Sequence, residues 1–551
     1  MNNNKSFAKN TAILLISMVL TKIIGAVLKI PLTNMLGGVG MGYYSAAFSI
    51  FMPVYAVLSA GIPTVVTKLV AQNVKKRCYR SIRQIKSAAL TISLVAGILG
   101  TFFVVAFSKP FAFFFVSEPE SVYAIIAIAP CILFCCVAAV YKGYYEGLSD
   151  MLPTGISQIV EAVVKAILGL LLAYITLSYC ISRNYTIDEA VPYAAAASML
   201  GITFGEFSAT LYLIIRYKKH SDGITASEIK RSPLPPKTKA TIKSILSSAL
   251  PISLGAAAGS LGSLIDMLTM PAGITATALT NPGFFIEKYG IADISQIGTF
   301  VYGSYTGIVL TLFVLITSIT AIIGKSIFPE IASCCNKNNK IELLRNIKIL
   351  FYGIFTVGLP MCFLMGTYSY NILKLLFSQR IQEISVCTEP LAIISFGGIF
   401  IALTGGLFVV FQAIGRNDIP IKLIMLNSII RLGCNMLLIS FPQTAVNAAS
   451  ISTTVSFFII CLIGMMILKN KLYIKIELIA IFAKPFTAAA ASSIAGLFCM
   501  NIINNNNNTL SLIISGGVSC AVYASLIFIL DRKVILSYYN RYRQSKRKYS
   551  R

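Results

Sequence analysis

Tryptophan is absent, histidine occurs once (His220), and acidic residues number only 20 in 551. Charged residues make up 12% of the chain, against about 25% in soluble domains. That deficit excludes a soluble enzyme, a free nucleic-acid-binding domain and a disordered chain. With one histidine and no CxxC or Cys/His spacing, zinc binding and Cys–His catalysis are excluded too. Most of the 13 cysteines lie inside apolar runs (Cys131, Cys135, Cys136, Cys362, Cys434, Cys461, Cys499, Cys520) and read as small apolar residues kept reduced. No catalytic residues and no metal ligands are expected. No hydrophilic stretch is long enough for a soluble catalytic domain, and no glycine-rich filter of the channel type is visible. In the absence of tryptophan, tyrosine must supply the interfacial aromatics.

What the chain has is apolar: 56% of its residues, with a mean hydropathy of +0.79. These residues come in runs of about 20 or more, the length that crosses a bilayer. The reading is an all-α polytopic membrane protein with about fourteen transmembrane helices. Lys5 and Lys9 precede an apolar run that continues past Lys22 to about Thr33 without a small-residue cleavage site. It is therefore kept as the first membrane helix, not a signal peptide.

The net charge of +26 sits on one side. With the N-terminus in the cytoplasm, the inner connections hold about 35 Lys+Arg and the outer ones about 5. The inner clusters are Lys75–Lys86, Arg216–Lys243, Lys325–Lys348, Lys469–Lys475 and Arg532–Arg551. Positive-inside topology and anionic membrane lipids account for this charge, and nucleic acid is not an expected partner. The expectation is a multi-pass plasma-membrane protein with both termini cytoplasmic.

The connection 217–242, with Pro233, Pro235 and Pro236, splits the chain near its middle. A longer outer connection is expected at 270–297, and Asn501–Asn508 is a low-complexity outer loop. Tyr141-Lys142-Gly143-Tyr144-Tyr145-Glu146-Gly147 running to Pro153 is echoed by Phe411-Gln412-Ala413-Ile414-Gly415-Arg416 running to Pro420. Each reads as a helix end, a glycine, a short polar turn, then proline opening the next helix. The echo organises the chain as a six-helix half over 1–216, a linker over 217–242 and a second six-helix half over 243–468. Two additional C-terminal helices follow over 469–530, then a basic tail over 531–551. Two parallel halves with a central path are a transporter architecture.

Ionisable residues inside spans are costly and default to functional candidates. They are Lys22, Lys29, Glu161, Lys165, Glu206, Asp266 and Arg431, with Gln158 one turn before Glu161. Lys22 and Lys29 share one side of a helix. Glu161 and Lys165 stand in the favourable i,i+4 order, which also suits a local neutral pair. Cations exceed anions in this set, which suits an anionic substrate better than a cationic drug. Lys22, Lys29, Gln158, Glu161, Lys165 and Arg431 are assigned to substrate binding. Asp266 and Glu206 are assigned to coupling, to Na⁺ or H⁺, with no other cofactor. Asp266 would alternatively neutralise Lys29.

Four stretches carry a family resemblance. They are Thr21–Gly25 through Leu36–Tyr44, Ala60-Gly61-Ile62-Pro63 with Thr67–Ala71, Lys142–Gly147 with Pro153–Glu161, and Tyr302-Gly303 through Phe328–Ile331. The chain resembles the multidrug/oligosaccharidyl-lipid/polysaccharide exporter superfamily, and within it the polysaccharide flippase and stage V sporulation protein B branch, near the lipid II flippases. The resemblance weakens after about residue 470. It implies a monomeric flippase that moves a polyprenyl-diphosphate-linked sugar or peptidoglycan precursor by alternating access. A drug or metabolite antiporter of the same fold is the alternative. Glu146 stands where the family often has Gln, and Lys22, Lys29 and Lys165 where it often has Arg. Charge is kept but the planar guanidinium fork is lost.

The charge asymmetry makes one expectation testable. In a chain whose native cysteines are replaced, a cysteine at Asn505 is labelled from outside intact cells and one at Ser550 is not. Outside labelling of Ser550 would refute the topology.

Overall fold

The computed structural model describes residues 2–116, 118–220, 222–291, 293–336, 339–470, 478–503 and 508–530, with side chains from Ser17 onward except at 115, 226, 336, 478, 480 and 508. The basic tail 531–551, residues 504–507 of the asparagine-rich loop and the Lys471–Lys475 end of the fourth basic cluster lie outside the described residues. Among the described residues there is no strand. Thirteen helical stretches are long and apolar enough to cross a membrane.

The first of them explains the difference from about fourteen expected spans. It runs unbroken in apolarity from Ser17 to Lys75, 59 residues, and contains both of the first two spans. Helix α1 (Asn2–Ser59) has 58 residues. At 1.5 Å per residue a straight helix of that length would reach about 87 Å, far beyond a hydrocarbon core of about 30 Å. The direction changes at Gly37, whose φ of 65° and ψ of −175° suit only glycine. Helix α2 (Gly61–Lys75) follows after one residue.

The first compact unit comprises residues 1–311 and 431–446, and the second 312–430 and 447–551. In the first unit α3 (Tyr79–Ala106), α4 (Val122–Ile128), α5 (Cys131–Gly147), α6 (Leu152–Ser182) and α7 (Ile187–Lys219) follow α2. Then come a short α8 (Ala226–Arg231), α9 (Thr238–Thr280), α10 (Pro282–Tyr289) and α11 (Ile297–Ser304). Local signals set the ends. Thr186 and Glu189 form a capping box at the start of α7, and Thr225 and Glu228 do the same for α8. The hydrogen bonds of its box hold the exposed Glu228 carboxyl below the usual range.

The expected outer connection 270–297 is mostly helix. Helix α9 continues through Pro271 to Thr280 and α10 fills 282–289. Tertiary contact holds this extension: Thr277 Oγ1 donates to the Ile439 carbonyl at 2.8 Å. Nearby, Thr299 donates to Glu118 Oε1 at 2.9 Å and Tyr43 to Glu120 Oε2 at 3.1 Å, tying α11 and α1 to the start of the α4 segment. Burial pushes the Glu118 carboxyl up, against the pull of the Thr299 hydroxyl.

The second unit contains α12 (Leu310–Asn336) from Leu312 onward, α13 (Lys340–Thr367), α14 (Ser369–Leu376) and α15 (Ile381–Ala413). Helix α16 (Asp418–Ile439) passes into the first unit at Arg431. Helices α17 (Ala448–Asn470), α18 (Leu478–Ile503) and α19 (Asn508–Leu530) complete the second unit. The last two dock on α13: Tyr523 donates to the Thr356 carbonyl at 2.7 Å, and the Phe355 and Phe482 rings lie 5.2 Å apart.

The echoed turns share a backbone design. After α5, Asp150 N–H bonds the Tyr145 carbonyl and Ser149 N–H the Glu146 carbonyl; after α15, Arg416 bonds Phe411 and Gly415 bonds Gln412. Each is a Schellman cap, and the left-handed residue is Ser149 (φ 64°) in one and Gly415 (φ 84°) in the other. The structural register therefore pairs Glu146 with Gln412 and Ser149 with Gly415, not Gly147 with Gly415. Pro153 and Pro420 each fall in the first turn of the next helix.

Candidate functional site

The ionisable residues of the first unit converge because α6 and α7 approach closely. Gly201 and Gly205 stand four apart on α7. A Cβ on Gly201 would meet the backbone of Gly169, and one on Gly205 would meet the Glu161 carbonyl and Lys165. This is a small-xxx-small contact, the usual device for tight helix packing in membranes. It sets Glu206, 4% exposed, beside Glu161, with the two carboxyls within hydrogen-bonding reach of each other.

Lys142, from α5, joins them. Its Nζ lies 3.7 Å from Glu206 Oε1 and 3.9 Å from Glu161 Oε2. The Tyr55 phenol of α1 and the Cys135 thiol of α5 are close enough to feel both carboxyls. Lys165, one turn along α6 from Glu161, is the second cation within electrostatic reach of that carboxyl. Glu161 therefore finds its partners across helices, in addition to any attraction to Lys165 along its own.

Gln158, Glu161 and Lys165 occupy one face of α6. The Gln158 Oε1 is buried without a hydrogen-bond partner among the described residues. Lys165 Nζ stands 5.9 Å from the centre of the Phe48 ring of α1. Lys29 lies within electrostatic reach of both Lys165 and Lys22, so three lysines share a region flanking the carboxyl pair. Lys29 Nζ donates to the Thr306 carbonyl at 3.4 Å. That carbonyl lies in a π-helical turn, Tyr305–Val309, a distortion that disturbs the regular hydrogen-bond ladder and recurs at functional sites.

Asp266 and Arg431 form a separate buried site. Asp266 is 1% and Arg431 8% exposed. Arg431 Nε donates to Asp266 Oδ1 at 3.1 Å, and Nη2 donates to Oδ2. Asn435 Nδ2 adds a bond to Oδ1 at 3.2 Å. Gly262, one turn before Asp266, leaves space where a Cβ would meet the guanidinium. The fork matches the carboxylate edge to edge. The partner of Asp266 is Arg431, not Lys29.

The residue reasoning from sequence missed is Lys142. It stood in a recognised motif but near a helix end, where a lysine reads as able to reach water. The Gly201–Gly205 pair was the available signal that α7 would press against α6 and bury what lay there. Among the described residues no group of three or more His, Cys, Asp or Glu could hold a metal ion.

These helices define a multi-pass membrane protein with the fold of the multidrug/oligosaccharidyl-lipid/polysaccharide exporters, as the sequence stretches led us to expect. Residues 7–335 match the model of the polysaccharide biosynthesis protein family, and the chain belongs to that family. It is 23% identical over 482 residues to the stage V sporulation protein B of Bacillus subtilis, covering 86% of each chain. Its fold is similar to that of lipid II flippase MurJ in an inward closed conformation. The TM-score is 0.66, with 13% identity over 94% of this chain and 99% of the other. It is also similar to an inward-facing multidrug resistance MATE family transporter, with a TM-score of 0.63, 14% identity and coverage of 87% and 98%.

The cluster carries a stability prediction. Lys142→Met strands two carboxyls without their cation, at a cost on the order of 3 kcal/mol, read as a lower unfolding temperature in detergent. Adding Glu161→Gln and Glu206→Gln restores most of it. An unchanged unfolding temperature in Lys142→Met would contradict the assignment.

Proposed function

We propose that the protein is a flippase for a polyprenyl-diphosphate-linked oligosaccharide or peptidoglycan precursor, working by alternating access in the plasma membrane. Its place is in cell-wall, spore-cortex or other surface-polysaccharide synthesis. It is a transporter and not an enzyme, acts as a monomer, and has its basic connections and both termini on the cytoplasmic side against anionic lipids. The observation that carries this reading is the grouping of Lys22, Lys29 and Lys165. A diphosphate cannot shed its water into an apolar interior without compensating cations, and this grouping supplies them. Gln158, with an unused buried acceptor, and Glu161 border the same region and would meet sugar hydroxyls.

Coupling is assigned to Glu206 with Glu161, and the coupling ion to a proton. A hard metal cation prefers a cage of oxygen ligands, whereas here an ammonium already occupies the space beside the two carboxyls. Asp266 suits a coupling role less well, because Arg431 and Asn435 already fill its oxygens. The same carboxyl pair supports the second reading, an antiporter of organic cations.

Vesicles with the reconstituted protein and fluorescent lipid II separate the two. Lys22→Ala is expected to lower flipping at least tenfold while membrane insertion and unfolding temperature stay at wild-type levels, since a charge near the bilayer centre costs at least about 2.5–3.5 kcal/mol to insert. Lys22→Arg should keep activity. Normal flipping by Lys22→Ala, or uptake of ethidium in place of lipid II, would favour the antiporter.

A further inference from the structure

The connection between α7 and α9 is not loosely tethered. Its contacts come largely from one face of α3. Arg80 donates from Nε to the Ile229 carbonyl and from Nη2 to the Lys230 carbonyl, each at 2.9 Å. Its backbone N–H bonds Ser232 Oγ at 3.1 Å. Gln84 Nε2 reaches the Pro236 carbonyl at 2.7 Å. Arg83 pairs with Asp222 at 2.8 Å, and the Asp222 side chain is only 8% exposed. Tyr144 donates its hydroxyl to the same carboxylate. Positions 80, 83 and 84 lie on one helix side, so α3 grips the connection along its length.

Beside this grip lies a second arrangement. Lys86 Nζ stands 3.2 Å from the centre of the Tyr217 ring, 5.5 Å from that of Tyr141 and 6.0 Å from that of Tyr144. Three phenol rings from α5 and α7 thus surround one ammonium from α3. Tyr144 is fully buried, and its ring and that of Tyr141 each meet Tyr217 edge-on. Rings so disposed turn their electron-rich faces toward a cation, as in the aromatic cages that take alkylammonium ligands. Two of the rings also serve the grip: Tyr144 bonds Asp222, and Arg83 bonds both Tyr144 and Tyr217.

We propose that Tyr141, Tyr144 and Tyr217 form an alkylammonium-binding site, filled in this conformation by the chain's own Lys86, and that its occupancy latches the 220–237 connection onto α3. The ammonium draws the three rings together. The rings place the hydroxyls that hold Arg83 and Asp222, and Asp222 fixes the start of the connection. An empty cage loosens all three. An exogenous alkylammonium of similar size, lacking the lysine stem, would refill it. The proposal stands apart from the transported substrate, because none of these residues belongs to the lysine and carboxyl cluster.

Limited trypsin digestion of the full-length protein in detergent tests it, with cleavage at Lys230 and Arg231 followed by mass spectrometry. Cleavage requires those backbone segments to leave α3, so its rate reads the open population. Lys86→Ala should raise the rate about fivefold or more, as expected for the loss of one partly desolvated cation–π contact. Millimolar methylammonium should return it to near the wild-type rate. In Lys86→Ala with Tyr217→Leu, cleavage stays fast and methylammonium has no effect. The proposal is overturned if Lys86→Ala is cut at the wild-type rate, or if methylammonium slows cleavage equally in the double variant. Should Lys86→Ala fail to purify as a monodisperse protein, Tyr217→Leu alone decides. Faster cleavage there, insensitive to methylammonium, supports the latch, and a wild-type rate refutes it.

Discussion

Every ionised side chain that this molecule carries inside its apolar helices must find its compensation within the protein. Lipid offers none, and an unpaired charge in such surroundings costs several kcal/mol. The structure meets this constraint in two ways. Asp266 and Arg431 close on each other edge to edge, with Asn435 completing the set. Both oxygens of that carboxylate are bonded in this conformation. Lys142, Glu161 and Glu206 are matched differently, with one ammonium lying between two carboxyls and Lys165 near one of them. Two carboxyls within hydrogen-bonding reach of each other can share or exchange a proton, which is what the proposed coupling role needs. A fully paired site cannot do so without breaking.

The lysine grouping depends on the same frame. Lys165 leaves α6 one turn after Glu161, so the packing that brings the carboxyl pair together also places Lys165 within electrostatic reach of Lys29. Lys29 in turn rests against a carbonyl of the π-helical turn that closes the first unit's run of chain. A substrate phosphate that drew Lys29 away would leave that carbonyl without its charged donor. Cation placement, carboxyl burial and the irregular turn are therefore one piece of construction, built on the small faces of Gly201 and Gly205.

Much of the fold was legible in the residues. Apolar runs located the spans, proline marked the starts of α6 and α16, and the family stretches led to the right superfamily. What failed to show has physical causes. Hydropathy separated the first two spans but did not show that only the break at Gly37 divides them. Nor does it show that a proline such as Pro271 can sit within a helix that tertiary contacts hold together. The echo between the turns after α5 and α15 was visible, but its register was not. Schellman caps accept Ser149 or Gly415 at the left-handed position, and matching glycine to glycine misaligned them. At the site, sequence spacing joined Glu161 to Lys165 and offered Lys29 as the partner of Asp266. Only helix packing could show that Lys142 lies between two carboxyls and that Arg431 belongs to Asp266.

The central claim is that the Lys142, Glu161 and Glu206 cluster carries the proton that accompanies substrate across the membrane. It is tested most directly by recording lumenal pH with a trapped dye in vesicles that flip lipid II. The account predicts that flipping by the wild-type protein moves protons in step with substrate, and that Glu206→Gln flips substrate only down its own gradient, with no accompanying pH change. Proton movement that persists unchanged in Glu206→Gln would contradict it.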